Sequence, residues 1–249
     1  MVSIRAFCGL CPPKELASQV ACVPYDVVDS LEAAALARGN PFSLLHVDRA
    51  EIDCPPGTYI YDDIVYFTAL KNFERLQADG VLIRDREPAM FVYRLEMDGR
   101  GQDGVVAVCW VEDYENGIIK RHEKTRKDKE DDRARLIRTL RANTGPVFLT
   151  YRDEALITEA VEKEKEAQPL YDFVATDNVR HTVWRVSMGG NFSDLFKKVG
   201  CAYVADGHHR TASAVRVCKE LRESNPQHTG EEDYNWFLAV LFPASQLRI

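Results

Sequence analysis

Apolar and polar positions along the 249-residue chain follow two rhythms. Runs of strand length, alternating or wholly apolar and bounded by Gly, Pro, Asp or Asn, predict strands over residues 2–7, 20–23, 42–47, 89–97, 104–111, 147–151, 170–176, 180–186 and 236–242. Runs with helical spacing predict helices between them. The longest covers 59–78, where Ile60, Ile64, Phe67, Leu70, Phe73 and Leu76 approximate one apolar stripe before Asp79-Gly80 ends it. Shorter helices are expected from Asp29 or Ser30 to Ala37, over 128–141 on a narrow face of Leu136, Ile137 and Leu140, over 153–168, and briefly from 191.

Two of these strand pairs read as hairpins. One flanks Asp98-Gly99-Arg100-Gly101-Gln102-Asp103 and the other turns at Asp177-Asn178. With helices interspersed, the pattern predicts an α+β fold of mixed, largely antiparallel sheets with packed helices. No fixed-period repeat or low-complexity tract is present. A division is expected near Thr144-Gly145-Pro146, giving parts 1–144 and 145–249, which can also form one continuous domain.

Composition narrows the classes. Apolar residues at 45% and charged residues at 29% are enough for a substantial core in a water-soluble chain. No run is long and apolar enough to span a bilayer, and the N-terminus lacks the pattern of a secretory signal, so a cytoplasmic location without membrane association is expected. Seven cysteines, an odd number, point to reduced thiols; Cys8-Gly9-Leu10-Cys11 has no second close pair to complete a zinc site. The net charge of −7 argues against nucleic acid as a general partner. Charge is nevertheless unevenly placed: from Lys120 to Arg141 there are ten Lys or Arg against five Asp or Glu, a local +5, so the remainder carries −12.

The chemistry concentrates after residue 201. An apolar run, Cys201-Ala202-Tyr203-Val204-Ala205, meets Asp206-Gly207-His208-His209-Arg210-Thr211 and continues as a small-residue helical stretch through Leu221. That is a strand, a tight turn and a helix. The first N–H groups of a helix have no partners within it, and its dipole places partial positive charge there. Gly207 permits close backbone approach, and His208, His209, Arg210 and Thr211 add side-chain donors, so the pattern predicts an anion site, most naturally for phosphate. The plain alternative is an Asp-Gly turn with Asp206 as helix cap and Arg210 solvated.

Upstream, His122, Glu123, Thr125 and Arg133 place a base, a carboxylate, a hydroxyl and a cation within a short charge-rich span. Phosphoryl transfer needs such groups if they converge on the phosphate loop. At the end of the strand expected over 20–23, Tyr25-Asp26 offers a substrate contact and a carboxylate for Mg²⁺, or simply a turn. His46 reads as a hydrogen-bonded core histidine without a catalytic role.

Asp206-Gly207-His208-His209-Arg210 after an apolar strand resembles the phosphate-binding signature of the ParB/sulfiredoxin-like superfamily, which includes partition-protein nucleotide domains, sulfiredoxins and free-serine kinases. Together with Pro24-Tyr25-Asp26-Val27, Asn40-Pro41-Phe42-Ser43 and His122-Glu123-Lys124-Thr125, it is similar to one uncharacterised bacterial and archaeal family of that superfamily. The resemblance covers residue 20 onwards, implies a strand–DGHHR–helix unit of that type, and implies nucleotide or phosphate chemistry while leaving the reaction open. Members of that family usually extend further, so a fragment or shortened relative is expected.

The expectation is a phosphotransferase that uses ATP or ADP with Mg²⁺ and acts on a small hydroxyl metabolite such as free serine. Gly207, His208, His209 and Thr211 would cradle phosphate, Arg210 would stabilise the transferring group, and Glu123 beside His122 would be the base. Tyr25, Asp26, Thr125 and Arg133 would meet the substrate, and Asp26 and Asp206 would hold Mg²⁺. The role of Glu123 rests on its chemistry, since the kinases' glutamate matches no motif here. The alternative is a ParB-like nucleotide-binding regulatory or DNA-associated module; a helix-turn-helix is not recognisable. A sulfiredoxin activity would need a thiol where His208 stands. Neither a P-loop nor a dinucleotide-binding glycine motif occurs.

Overall fold

The computed structural model describes residues 1–187 and 189–247. The chain forms an α+β structure in two compact units. One comprises Met1–Cys8, Glu87–Ala134 and Gly145–Ile249; the other comprises Gly9–Arg86 and Arg135–Thr144. The division expected at 144/145 is one of the crossings, but residues 1–8 and 87–134 group with the C-terminal ones.

The larger unit is built on a nine-stranded sheet. Its strands are β1 (Ile4–Arg5), β2 (Phe91–Met97), β3 (Arg100–Trp110), β4 (Ile119–Lys120), β5 (Val147–Tyr151), β6 (Tyr171–Val174), β7 (Arg180–Arg185), β8 (Ala202–Asp206) and β9 (Trp236–Pro243). The order is β4-β8-β5-β9-β3-β2-β7-β6. Pairing is antiparallel except for β4 with β8 and β5 with β9. Antiparallel β1 opposes Val108 and Cys109 of β3, beyond the stretch that β2 covers.

The hairpin between β2 and β3 is tighter than its sequence suggests. Asp98 (φ 54°) and Gly99 (φ 73°) alone make the turn, and β3 begins at Arg100. Positive φ at both central residues gives the twist that two antiparallel strands need, which explains the Asp-Gly pair. Along β3, Val105, Ala107 and Cys109 are fully buried and alternate with half-buried neighbours. β9 lies between β5 and β3 and is buried from Ala239 through Pro243, so its sequence is apolar without alternation.

The smaller unit is mainly helical. Asp62 accepts the Ile64 N–H (3.1 Å) and starts the helix Asp63–Ala78, which buries Val65, Tyr66, Ala69, Phe73 and Leu76. These pack with Val47, Leu136 and Leu140. The expected stripe is therefore rotated: Phe73 and Leu76 belong to it, while Ile64 and Phe67 are exposed.

Two strand expectations fail here. Val20 closes a helical turn begun at Ala17, and both are buried on one face of it. Residues 45–48 are also helical, because the Ser43 hydroxyl accepts the Leu45 N–H (3.3 Å) and turns the backbone. His46 is a bonded histidine as expected, with Nδ1 2.8 Å from Asp53 and Nε2 3.1 Å from the Asn40 carbonyl. None of the seven cysteines forms a disulfide.

Candidate functional site

β8 delivers the chain to the start of the helix His208–Ser224. Against β5 its register slips between Val204 and Asp206, so Ala205 is an extra residue and the strand bends immediately before the turn. Gly207 then takes a left-handed conformation (φ 88°, ψ 31°) as the N-cap, with no side chain capping the helix. The first intrahelical bond is Thr211 N–H to the Gly207 carbonyl (2.9 Å), so the N–H groups of His208 and His209 precede the ladder.

Arg210 folds back over this turn. Its guanidinium donates to the Asp206 carboxylate and to the Pro146 carbonyl. A Cβ on Gly207 would stand 3.1 Å from Arg210 Cζ, so the guanidinium would have to shift by a few tenths of an ångström to admit one. Thr211 is fully buried and its hydroxyl donates to the Gly207 carbonyl (3.0 Å), which commits its proton to the helix.

The upstream segment comes to the same place. The His122 and His208 rings meet edge to face, with centroids 4.5 Å apart and planes at 88°. Glu123 Oε2 lies 3.5 Å from His208 Nδ1. The His209 Nε2 accepts the Arg126 N–H at 3.1 Å, which holds the 121–126 segment against the helix start. Farther along, Ser213 Oγ donates to the Glu130 carbonyl (3.1 Å), and Arg216 pairs with Asp131.

His208 differs from its neighbours in burial. Its side chain is 5% exposed and Nε2 has no hydrogen-bond partner, whereas His122 and Glu123 are exposed. Burial, and then the nearby His122, push the His208 imidazole below the ordinary histidine range, with Glu123 and Asp206 opposing them. Both effects favour the neutral ring.

A family model described as a protein of unknown function (DUF1015) matches residues 4–249. The chain belongs to the DUF1015 family. Neither a search of curated proteins nor a search of solved structures found a match.

In this DUF1015 protein, then, His122, Glu123, Asp206, Gly207, His208, His209 and Arg210 meet around one helix start. Thr125 and Arg133 find partners on their own segment: Thr125 donates to Glu130 (3.0 Å), and the buried Arg133 pairs with Asp132 (2.7 Å). Tyr25 and Asp26 belong to the smaller unit, where Tyr25 is buried and Asp26 exposed. The two carboxylates expected to hold Mg²⁺ are thus an arginine-paired Asp206 and a residue of the other unit. Among the described residues no group of three or more His, Cys, Asp or Glu is arranged to hold a metal ion. No described helix is long and apolar enough to cross a membrane. Sequence reasoning did not anticipate Pro146, whose carbonyl accepts from Arg210, or Glu130, whose carboxylate accepts from Thr125.

Proposed function

We propose that this DUF1015 protein is a phosphotransferase that moves a phosphoryl group from a nucleotide, ATP or ADP, to a small hydroxyl metabolite such as free serine. The observation that carries the reading is the contact of His122 and Glu123 with His208 at a helix start whose cap is a left-handed glycine. A helix start with Gly207, His209 and Arg210 supplies donors and positive potential for phosphate oxygens. Arg210 is poised for the transferring group, because its partner Asp206 is exposed and a phosphate can compete for the guanidinium. His122, Glu123 and His208 form the acid–base side. A ParB/sulfiredoxin-like relationship of the β8–helix unit agrees with this reading and rests on the DGHHR motif. Mg²⁺ would arrive with the donor phosphates, and no step is routed through it.

An acid–base cluster beside the phosphate loop favours an enzyme over a ParB-like switch, which needs the loop but not the cluster. The test is a thermal-shift titration of wild type and Arg210→Ala against ATP, ADP, CTP and pyrophosphate with Mg²⁺. A ligand that binds only the native state raises the melting temperature by mass action. One donor should stabilise wild type and not the variant, and added serine should then yield phosphorylated product. Loss of a preorganised donor such as Arg210 should lower the rate on the order of 10²–10³-fold. A folded wild type that responds to no donor would overturn the proposal.

A further inference from the structure

The sequence points to Glu123 as the base, but the geometry divides the labour differently. Glu123 is exposed. His208 is the group in the interior, and its two ring nitrogens have different surroundings. Nδ1 looks towards Glu123 Oε2 at 3.5 Å; Nε2 is buried without a hydrogen-bond partner.

A neutral imidazole carries one hydrogen and one lone pair on its nitrogens. An ionised carboxylate can only accept, so its field favours the tautomer with hydrogen on Nδ1. That choice leaves a lone pair at Nε2. Buried polar atoms are nearly always bonded, and one that is not calls for an explanation. A hydroxyl hydrogen brought by a ligand supplies the missing donor.

We infer that His208, through Nε2, accepts the proton of the acceptor hydroxyl, and that Glu123 is a positioning residue that fixes the imidazole tautomer and steadies the imidazolium that forms. The inference rests on the phosphotransferase reading. In the step, the acceptor O–H bond breaks and its proton moves to Nε2. The acceptor oxygen forms a bond to the terminal phosphorus of ATP, and the bridging P–O bond breaks with its electron pair leaving on ADP. The imidazolium afterwards returns its proton to solvent. The exposed ring of His122 packs against that of His208. Burial, His122 and His209 disfavour the charged ring, while Glu123 and Asp206 favour it.

The experiment compares wild type, His208→Gln and Glu123→Gln in ATP-dependent phosphorylation of serine, with exogenous imidazole as rescue. Donor-dependent melting shifts serve as the check on folding and ATP binding. His208→Gln should lower kcat by about 10²–10⁴-fold, keep its ATP-dependent melting shift, and recover activity partly with imidazole. Glu123→Gln should lower kcat less and leave the KM for ATP unchanged.

Nitrogen-detected NMR of the wild-type imidazoles gives a readout independent of turnover. His208 should carry its hydrogen on Nδ1, and Glu123→Gln should weaken that preference. A hydrogen on Nε2, or a His208→Gln enzyme with wild-type kcat, overturns the inference alone. A wild type that transfers phosphate from no donor overturns the phosphotransferase reading beneath it.

Discussion

The backbone N–H of Arg126 donates to Nε2 of His209 across 3.1 Å, joining segments 83 positions apart in the chain. This bond uses a side chain at the start of the His208–Ser224 helix to hold the loop that carries His122 and Glu123. His209→Ala removes the acceptor while leaving the donor near solvent. The global stability loss should stay at or below about 1.5 kcal/mol, and amide exchange at Arg126 should accelerate. Unchanged exchange at that amide would show that the bond is not populated in solution.

Gly207→Ala combines two penalties that can be separated. An L-residue in the left-handed region costs about 1–2 kcal/mol, and here the new Cβ would also stand 3.2 Å from Arg210 Nε. Gly39 has a similar φ, +75°, with nothing within 4 Å, so Gly39→Ala carries the backbone penalty alone. Urea midpoints should fall in both variants and further in Gly207→Ala. Only Gly207→Ala should also lose the donor-dependent melting shift.

The loop before β9 has its own pH dependence. Burial raises the Glu232 pKa, but the backbone and side-chain donors of Thr229 and the Gly230 N–H outweigh it and bring the group down to about 2 from an ordinary 4.5. A carboxylate depressed in the folded state contributes stability above its unfolded pKa and loses it as pH falls. Between pH about 4.5 and about 2, wild type should therefore lose stability relative to Glu232→Gln. Parallel denaturation curves for the two proteins across that interval would rule the account out.

Asn235 ties the far end of the His208–Ser224 helix to the same loop. It is fully buried, donates to the carbonyls of Gly230 and Glu232, and accepts from Arg222 Nε (2.7 Å). Asn235→Ala leaves several of these groups without partners in the interior. Chemical denaturation should show a loss of about 1–3 kcal/mol, against at most a few tenths for the exposed Gln227→Ala.

Local chemistry made much of this legible from sequence. The 147–151 strand, both hairpins and the strand–glycine–helix unit follow from apolar runs bounded by residues that tolerate turns. Residues 20–23 and 42–47 misled because short apolar runs fit a helical turn as well as a strand, and a single Ser43 hydroxyl decided the second case. The stripe on the Asp63–Ala78 helix was read with the wrong phase, since Tyr66 and Ala69 are as consistent with helical spacing as Phe67 and Leu70. At the site, the residue types were visible, but the meeting of Glu123 with His208 was not. Pairing between β4 and β8 brings those segments side by side, and a parallel pairing leaves no turn signal to read. Which histidine is buried is likewise a property of packing that a consecutive His208-His209 cannot disclose.

The placement of β9 also bears on how the sheet assembles. Its register, from Trp236 opposite Trp110 to Leu241 opposite Val105, closes loops of about half the chain. Before β9 docks, β3 and β5 flank an open lane, each with unpaired backbone groups along it. The strands on either side join only through β9, so completing the sheet depends on pairing between distant parts of the chain. The same lane would accept β9 from a second copy of the chain, which is the geometry of a strand-exchanged dimer.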